Sequence, residues 1–238
     1  MLIFLIAKSK NKNNSKKIML HTNTLKFLKS LDKNNNREWF EKNKNLYELA
    51  KADFNNWVEK IIIEAQKINN DYQQLAVKDC VFRIYRDVRF SKNKLPYKNN
   101  MGAQLKKGGK KSPYCGFYIH IEPSTNGSFI AGGFWMPEGD VLKKLRQEVE
   151  YNTDDFKKII NDKKFKTLYG SLEEHKLKKA PKGIDPSHPD VELLKYTSYV
   201  VSTSIDNSDL TSEKLNKQII KGLKTIQPFL DFLNTAIE

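Results

Sequence analysis

The chain has 238 residues, of which 39% are hydrophobic and 29% are charged, and its formal net charge is +14. This length is sufficient for one domain with a full hydrophobic core. The absence of any run of about 18 apolar residues argues against a transmembrane helix, and two cysteines are too few for a disulfide scaffold. We therefore predict a cytoplasmic protein with no membrane partner.

The first 18 residues combine a short apolar start, Met1–Ala7, with a run rich in Lys and Asn. They lack the basic start and the small-residue cleavage pattern of a signal peptide. We interpret 1–18 as a disordered tail or as an extension from an upstream start, and 19–238 as a single α+β domain. Weak membrane anchoring of 1–18 is the less favoured alternative.

Helical spacing of apolar residues dominates the part of the chain that follows. It predicts a short helix capped by Asn23 or Thr24. Asn36 is predicted to cap a long amphipathic helix that reaches about Ile68, with a break near 43–45.

The middle of the chain alternates between apolar and polar residues, as strands do. Candidate strands cover 81–90, 100–106, 115–122, 128–136 and 199–205, and Asn126-Gly127 predicts a tight turn between the third and the fourth. Further helices are predicted at 138–151, at 153–161 and from about Thr211 to Ala236, and 163–190 is predicted to be an irregular loop over the sheet. This order predicts an α+β domain with a mainly antiparallel sheet of four to five strands and helices packed on one face.

Arginine is concentrated in one short segment. The chain has only five Arg among its 42 basic residues, and three of them, Arg83, Arg86 and Arg89, fall within seven positions. A guanidinium group makes bidentate contacts with carboxylate or phosphate that Lys cannot copy, so this clustering favours a specific role. Strand alternation puts Arg86 on the apolar face with Ile84, which predicts a buried, structural Arg86 paired with a carboxylate or with carbonyls. Arg83 and Arg89 fall on the other face and are predicted to bind a ligand.

The arginine segment and several pieces around it resemble a known family. The matching pieces are Arg83-x-x-Arg86-Asp87-x-Arg89-Phe90, Asn93-Lys94-x-Pro96-Tyr97-Lys98, Asn36-Arg37-Glu38-Trp39-Phe40 and Gly132-Gly133-Phe134-Trp135-Met136-Pro137. Together they are similar to the conserved hypothetical proteins called domain of unknown function 2461, from about Leu20 to the C-terminus. One departure is Asn99, where the family pattern has Thr. The resemblance implies a fold class and a motif, but no activity.

Polar residues share one face of the predicted strands. They are Arg83, Tyr85, Asp87, Arg89, Gln104, Tyr118, His120 and Glu122. In a chain so rich in Lys, an ordinary solvent-facing surface should show Lys and Asn. We interpret this face as a polar cleft, and the alternative is a structural hydrogen-bond network beneath 163–190.

Two functional hypotheses of different classes follow. The favoured one is a binding or enzymatic domain for an anionic small molecule, with His120, Asp87 and Glu122 as candidate catalytic acid–base residues. The candidate ligand-binding residues are Arg83, Tyr85, Arg89, Lys94, Tyr97, Lys98 and Tyr118. No motif indicates a reaction class, a cofactor or an oligomeric state, and His120 with Glu122 is too small a set to predict a metal site.

The alternative is a nucleic-acid-binding module that uses the Lys-rich surface. A chain rich in Lys, Asn and Ile reaches a high positive charge by composition alone, so we expect only weak, non-specific binding. Steep salt dependence would distinguish this binding from that of a small anion.

Overall fold

The computed structural model describes residues 19–124 and 127–238. Within these residues the helices are α1 (Thr22–Lys33), α2 (Arg37–Lys42), α3 (Lys44–Ala65), α4 (Val77–Cys80), α5 (Gly139–Tyr151), α6 (Thr153–Asn161), α7 (Lys163–Tyr169), α8 (Val191–Leu194) and α9 (Glu213–Thr235). The strands are β1 (Met101–Leu105), β2 (Gly116–Ile121), β3 (Ser128–Phe134) and β4 (Tyr199–Ile205). The predicted α+β class, with one antiparallel sheet covered by helices, is confirmed. The predictions for 1–18 and for Asn126 lie outside the described residues.

The four strands form a meander in which every strand pairs antiparallel with its neighbours in the order β1-β2-β3-β4. The register aligns Gln104, Tyr118, Ala131 and Ser202 in one row across the sheet. Because side chains alternate between the two faces of a strand, all four of these residues lie on the same face.

A layer of helices covers the opposite face. Phe117 and Ile119 are fully buried on this side of β2, and α9 packs against both β2 and β3. Gly222 of α9 permits a close approach, since a Cβ atom there would lie less than 3.0 Å from the Cδ1 of Ile130. Trp57 of α3, also fully buried, donates a hydrogen bond from Nε1 to the Asn216 side chain of α9 at 2.7 Å. The core therefore lies between the sheet, α3 and α9.

The first helices begin and end close to their predicted positions. The side chain of Asn36 accepts a hydrogen bond from the backbone of Trp39 at 2.9 Å, so Asn36 caps α2 as predicted. The predicted break occurs at Asn43, which separates α2 from α3. The cap of α1 is His21 rather than Asn23 or Thr24, because the His21 ring accepts from the backbone N–H of Asn23.

The predicted strand 81–90 is not formed. Val81 makes an isolated bridge to Ala103, Tyr85 makes one to Tyr97, and the residues between and after them are irregular. The apolar side chains of this segment belong to different surroundings: Ile84 is buried in the core, whereas Phe90 is 96% exposed. In a regular strand Ile84 and Phe90 would lie on the same face and share the same surroundings.

Arg86 is consequently not the buried guanidinium that strand alternation predicts. It is only partly buried, and within the described ranges it has no carboxylate partner within 4.0 Å. The backbone N–H of Arg86 bonds to the carbonyl of Pro96, which ties the segment to the chain that returns from the loop.

The predicted irregular region begins with a helix. Residues Lys163–Tyr169 form α7, and the side chain of Asp162 caps it by accepting from the backbone of Lys164 and Phe165. After Gly170 the chain runs beside β4, where the backbone N–H of Glu173 donates to the carbonyl of Val200 at 3.0 Å.

Candidate functional site

The sheet face opposite α9 carries a cleft of about 640 Å³. Its aromatic wall residues are Phe82, Tyr118, Phe129 and Trp135, and its polar wall residues are Gln104, His120, Glu173 and Ser202. Gln104, Tyr118 and His120 were predicted to lie together on a polar face, and all three line the cleft. Apolar walls with a few convergent polar groups are typical of small-molecule sites.

Two neighbouring strands position the central side chains of the cleft. The ring of His120 stacks on Phe129 of β3, with centroids 4.5 Å apart and an interplanar angle of 16°. Tyr118 extends over Gly102 of β1, where a Cβ atom would lie 2.7 Å from the Tyr118 hydroxyl oxygen. Glycine at 102 therefore leaves the space that the Tyr118 side chain occupies.

A hydrogen-bond chain connects the cleft to a buried carboxylate. The Tyr118 hydroxyl lies 3.1 Å from His120 Nδ1, and His120 Nε2 lies 2.9 Å from Glu122 Oε2. A deprotonated carboxylate can only accept, so Nε2 carries the proton and Nδ1 accepts from the Tyr118 hydroxyl. Glu122 Oε1 also accepts from Ser124 Oγ at 2.8 Å and from the Asn99 amide at 3.1 Å.

The surroundings favour the neutral forms of His120 and Tyr118. Only 12% of the His120 side chain and 4% of the Glu122 side chain are exposed. Burial lowers the pKa of His120, and the nearby charge of Lys98 adds to this effect, while the bond to Glu122 opposes it. Burial, followed by the Glu122 charge, raises the pKa of Tyr118 to about 12. The chain is thus a phenol hydrogen-bonded to a neutral imidazole that a carboxylate orients, so His120 Nδ1 can take up a proton that passes through the phenol.

Lys98 acts on this chain, and two arginines act on Lys98. The Lys98 ammonium lies over the ring of Phe82, 5.4 Å from its centroid. Burial lowers the pKa of Lys98, and the positive charges of Arg83 and Arg86 lower it further. Among the residues that the structure describes, none of these three cations has a carboxylate within 4.0 Å. We call Lys98, Arg83 and Arg86 the cation cluster.

A second group of polar side chains closes the cleft at β4. The Ser202 hydroxyl donates to Glu173 Oε1 at 2.6 Å, and His175 Nε2 lies 3.3 Å from Glu173 Oε2. Trp135 is 56% exposed and meets the His175 ring edge-on, with centroids 4.7 Å apart. This end of the cleft therefore presents a carboxylate beside an exposed indole.

Other predicted site residues lie outside the walls of the cleft. Asp87 and Arg89 form an ion pair on the exposed loop, with Arg89 Nη2 2.7 Å from Asp87 Oδ2. The hydrogen bonds of Arg89 hold the pKa of Asp87 down to about 2. Lys94 donates to the carbonyl of Val88 at 3.0 Å. The structure does not bring any of these side chains to His120.

The two remaining tyrosines pack in an aromatic cluster against α2. The ring of Tyr97 stacks on Phe40 with centroids 3.9 Å apart and an interplanar angle of 12°, and Tyr85 contacts both rings. Tyr97 is 4% exposed, so it stabilises the base of the arginine segment.

Sequence reasoning did not single out Glu173, Ser202, Trp135, Phe129 or Phe82 as site residues. Trp135 stood within one of the family-like motifs, and that motif was the one signal that could have identified it. Glu173 and Ser202 reach the cleft only through the pairing of β4 with β3.

The stability of the domain should fall as the pH decreases from about 7.5 to about 5, and His120→Gln should reduce this dependence. The pKa of His120 is below its ordinary value of 6.5 in the folded state. Between the folded and the unfolded pKa the unfolded chain binds more protons, so the free energy of unfolding decreases as the pH falls through about 6.5. Thermal unfolding followed by circular dichroism at several pH values measures this effect.

The control for this experiment is His21→Gln, since His21 is exposed and serves only as a helix cap. If the stability of the His120 variant depended on pH as that of the wild type does, the His120 ring would not be held in its neutral form in the folded state.

Residues 19–124 and 127–238 contain no group of three or more His, Cys, Asp or Glu placed to hold a metal ion. None of their helices is long and apolar enough to cross a membrane.

Comparison with protein families matches residues 23–232 to the family described as Conserved hypothetical protein (DUF2461). No curated protein and no solved structure matches the chain. The matched range covers most of the 238 residues and includes the arginine segment, the cleft and most of α9. The chain therefore belongs to the DUF2461 family of conserved hypothetical proteins.

Proposed function

We propose that this domain binds an anionic small molecule in the cleft on the open face of the sheet. The observation that carries the proposal is the cation cluster. Arg86 and Lys98 lie on two segments joined by backbone bonds from Arg86 to Pro96 and from Lys98 to Ile84. The described residues offer Lys98, Arg83 and Arg86 no carboxylate within 4.0 Å. Like charges that are grouped beside a cleft are stabilised when an anion binds between them.

The body of the ligand is proposed to be a flat ring. The cleft next to the cluster has four aromatic wall residues and a volume of about 640 Å³, which suits a metabolite-sized molecule. Lys98 itself lies over Phe82, one of those walls, so the anion and the ring would occupy adjoining places. Arg83 and Lys98 keep their predicted ligand-binding roles in this proposal, and Tyr118 contributes to the wall.

The Tyr118–His120–Glu122 chain supports acid–base chemistry on the bound molecule. The Tyr118 ring lines the cleft, while His120 and Glu122 extend the proton path into the interior. In this role Tyr118 accepts a proton from the ligand while its own hydroxyl proton passes to His120 Nδ1, and Glu122 holds the tautomer through Nε2–H. Asp87 has no part in it, because its carboxylate is bound to Arg89 on the exposed loop.

Lys98→Met should weaken the binding of phenyl phosphate about tenfold, which corresponds to about 1.4 kcal/mol. Phenyl phosphate joins a ring to an anion, and the variant removes one charge-assisted contact while it keeps an apolar stem against Phe82. Isothermal titration of the purified protein with phenyl phosphate, benzyl alcohol and inorganic phosphate measures the effect. Phenyl phosphate should bind more tightly than either partial probe, because benzyl alcohol lacks the charge and inorganic phosphate lacks the ring.

The matched control is Lys92→Met, since Lys92 is an exposed lysine on the same loop. Its affinity for phenyl phosphate should equal that of the wild type. Equal affinities of the wild type and Lys98→Met, or no preference for phenyl phosphate over inorganic phosphate, would contradict the proposal.

Nucleic-acid binding is the second candidate function, and one surface favours it. Phe90 is 96% exposed, the Arg89 guanidinium lies 5.9 Å from the centre of its ring, and Lys92 and Lys94 follow Phe90 in the sequence. An exposed ring among cations suits stacking on an unpaired base. Single-stranded RNA is therefore included as a further probe, and we expect its binding to fade at about 150 mM salt. Tight binding at that salt, lost on Phe90→Ala, would favour the nucleic-acid function.

A cytoplasmic location is also part of the proposal. Cys80 and Cys115 are both buried free thiols, and burial raises the pKa of Cys80 to about 12. Unpaired cysteines are the usual state in a reducing compartment.

A further inference from the structure

The cleft has chemically different ends. The cation cluster lies beside Phe82, whose backbone N–H bonds to the carbonyl of Gly102 in the edge strand β1. Glu173 lies at the other edge strand, β4, where its backbone bonds to Val200 and its side chain bonds to Ser202. A ligand that reached from one end to the other would meet cations first, aromatic rings next and a carboxylate last.

We propose that Glu173 accepts hydrogen bonds from a pair of adjacent N–H groups on the ligand's ring, and that the ligand class is a purine nucleoside monophosphate with a guanine-like base. This inference rests on the proposed function and extends it from an anion with a ring to a three-part molecule. The phosphate lies at the cation cluster, and the edge of the base lies at Glu173.

The separation of the two ends supports a long ligand. Tyr118, Ala131 and Ser202 form one row across three strands, and strands lie about 4.8 Å apart, so Tyr118 and Ser202 are about 10 Å apart along the row. Lys98 lies over Phe82, whose ring centroid is 6.0 Å from that of Tyr118 and whose backbone bonds to Gly102 of the edge strand β1. A single ring with an attached phosphate is too short to reach both ends, whereas a base, a sugar and a phosphate in sequence can do so.

The carboxylate of Glu173 is held in place and keeps capacity to accept. Oε1 receives the Ser202 hydroxyl at 2.6 Å, and Oε2 lies 3.3 Å from His175 Nε2. Each carboxylate oxygen has two acceptor positions, so one on each oxygen is left for the ligand. Two parallel acceptors match two adjacent N–H donors, such as N1–H and the exocyclic amine of guanine. Adenine presents an acceptor at N1, which a carboxylate repels.

An exposed aromatic side chain beside the carboxylate suits a base. Trp135 lines the same end of the cleft and leaves 56% of its surface exposed, while its edge-on contact with His175 orients the indole. Indole rings stack on nucleobases without regard to sequence, so Trp135 supplies affinity and Glu173 supplies the choice between bases.

The test compares guanosine monophosphate with adenosine monophosphate by isothermal titration. The wild type should bind the guanine nucleotide at least about tenfold more tightly, since a bidentate pair of this kind discriminates by 1–3 kcal/mol. Glu173→Gln should abolish this preference, because the amide replaces one acceptor with a donor. The same variant should bind phenyl phosphate as the wild type does, since that probe does not reach Glu173.

Two further variants complete the design. Glu174→Gln is the matched control, because Glu174 is the exposed neighbour that pairs with Lys176, and it should keep the preference for guanine. Ser202→Ala keeps the carboxylate but removes the hydroxyl that orients it, so it should reduce the preference without reducing phenyl phosphate binding.

The outcomes separate this inference from the proposed function. If the wild type binds phenyl phosphate but does not prefer the guanine nucleotide, or if Glu173→Gln keeps the preference, the inference is wrong and the anion site stands. If neither phenyl phosphate nor the nucleotides bind, both are wrong.

Discussion

Gly133→Ala is expected to destabilise the folded domain by about 3 kcal/mol or more. Gly133 has a φ of +115°, and a Cβ atom there would lie less than 3.0 Å from the carbonyl oxygen of Tyr199. That carbonyl belongs to β4, which is paired with β3 at this position, so it cannot move without breaking the sheet. Unfolding in urea, followed by circular dichroism, measures the loss of free energy.

The control for Gly133 is Gly183→Ala. Gly183 also has a positive φ, +89°, but nothing lies within 4 Å of the position where a Cβ atom would be added. Its substitution should cost about 1 kcal/mol from backbone strain alone. If both variants lost the same free energy, the steric contact with Tyr199 would have no part in the effect.

Glu122→Ala is expected to cost about 3 kcal/mol of folding free energy. The side chain of Glu122 is 4% exposed, and its removal leaves the Nε2–H of His120 buried without its acceptor, while Ser124 and Asn99 each lose a hydrogen bond. The empty volume of the missing carboxylate adds to the loss. The measurement is again the urea dependence of circular dichroism.

Asp32→Ala provides the comparison for Glu122. Asp32 accepts a hydrogen bond from the same Asn99 amide at 2.9 Å, but it is exposed, so water can replace it. Its loss should change the free energy of unfolding by no more than about 0.5 kcal/mol. A Glu122 variant as stable as the Asp32 variant would show that the buried chain does not contribute to folding.

The central residues of the cleft were predictable because β2 is an uninterrupted strand. Its alternation assigns Phe117 and Ile119 to the helix side and Tyr118 and His120 to the other, and the structure agrees. Two hairpin partners hold β2 in register, so local pattern and tertiary structure coincide there.

The arginine segment shows where pattern reasoning fails. Its period of two resembles that of β2, but pairing is limited to bridges at Val81 and Tyr85. Tyr85 packs against the aromatic cluster of α2, Phe82 turns to the cleft, and Ile84 enters the core. A period of two predicts that successive side chains point in opposite directions. It does not predict whether the side chains that point the same way pack against the same part of the protein.

The carboxylate end of the cleft could not be predicted from local sequence. Glu173 follows α7, and Ser202 lies in β4, which pairs with β3 across a long insertion of helices. Only this long-range pairing brings the two side chains together. A Ser and a Glu that lie 29 positions apart form no local motif that would predict a shared site.

The packing of α9 sets the order in which the chain can fold during synthesis. Strands β1, β2 and β3 pair with their neighbours in sequence, so these contacts form without waiting for distant residues. The apolar faces of α3 and of the sheet, however, are covered by α9, and the bond from Trp57 to Asn216 spans 159 residues. A nascent chain still held in the ribosome at α9 therefore carries an assembled hairpin sheet with an uncovered apolar face. Such an exposed apolar face is prone to aggregation until α9 emerges and covers it.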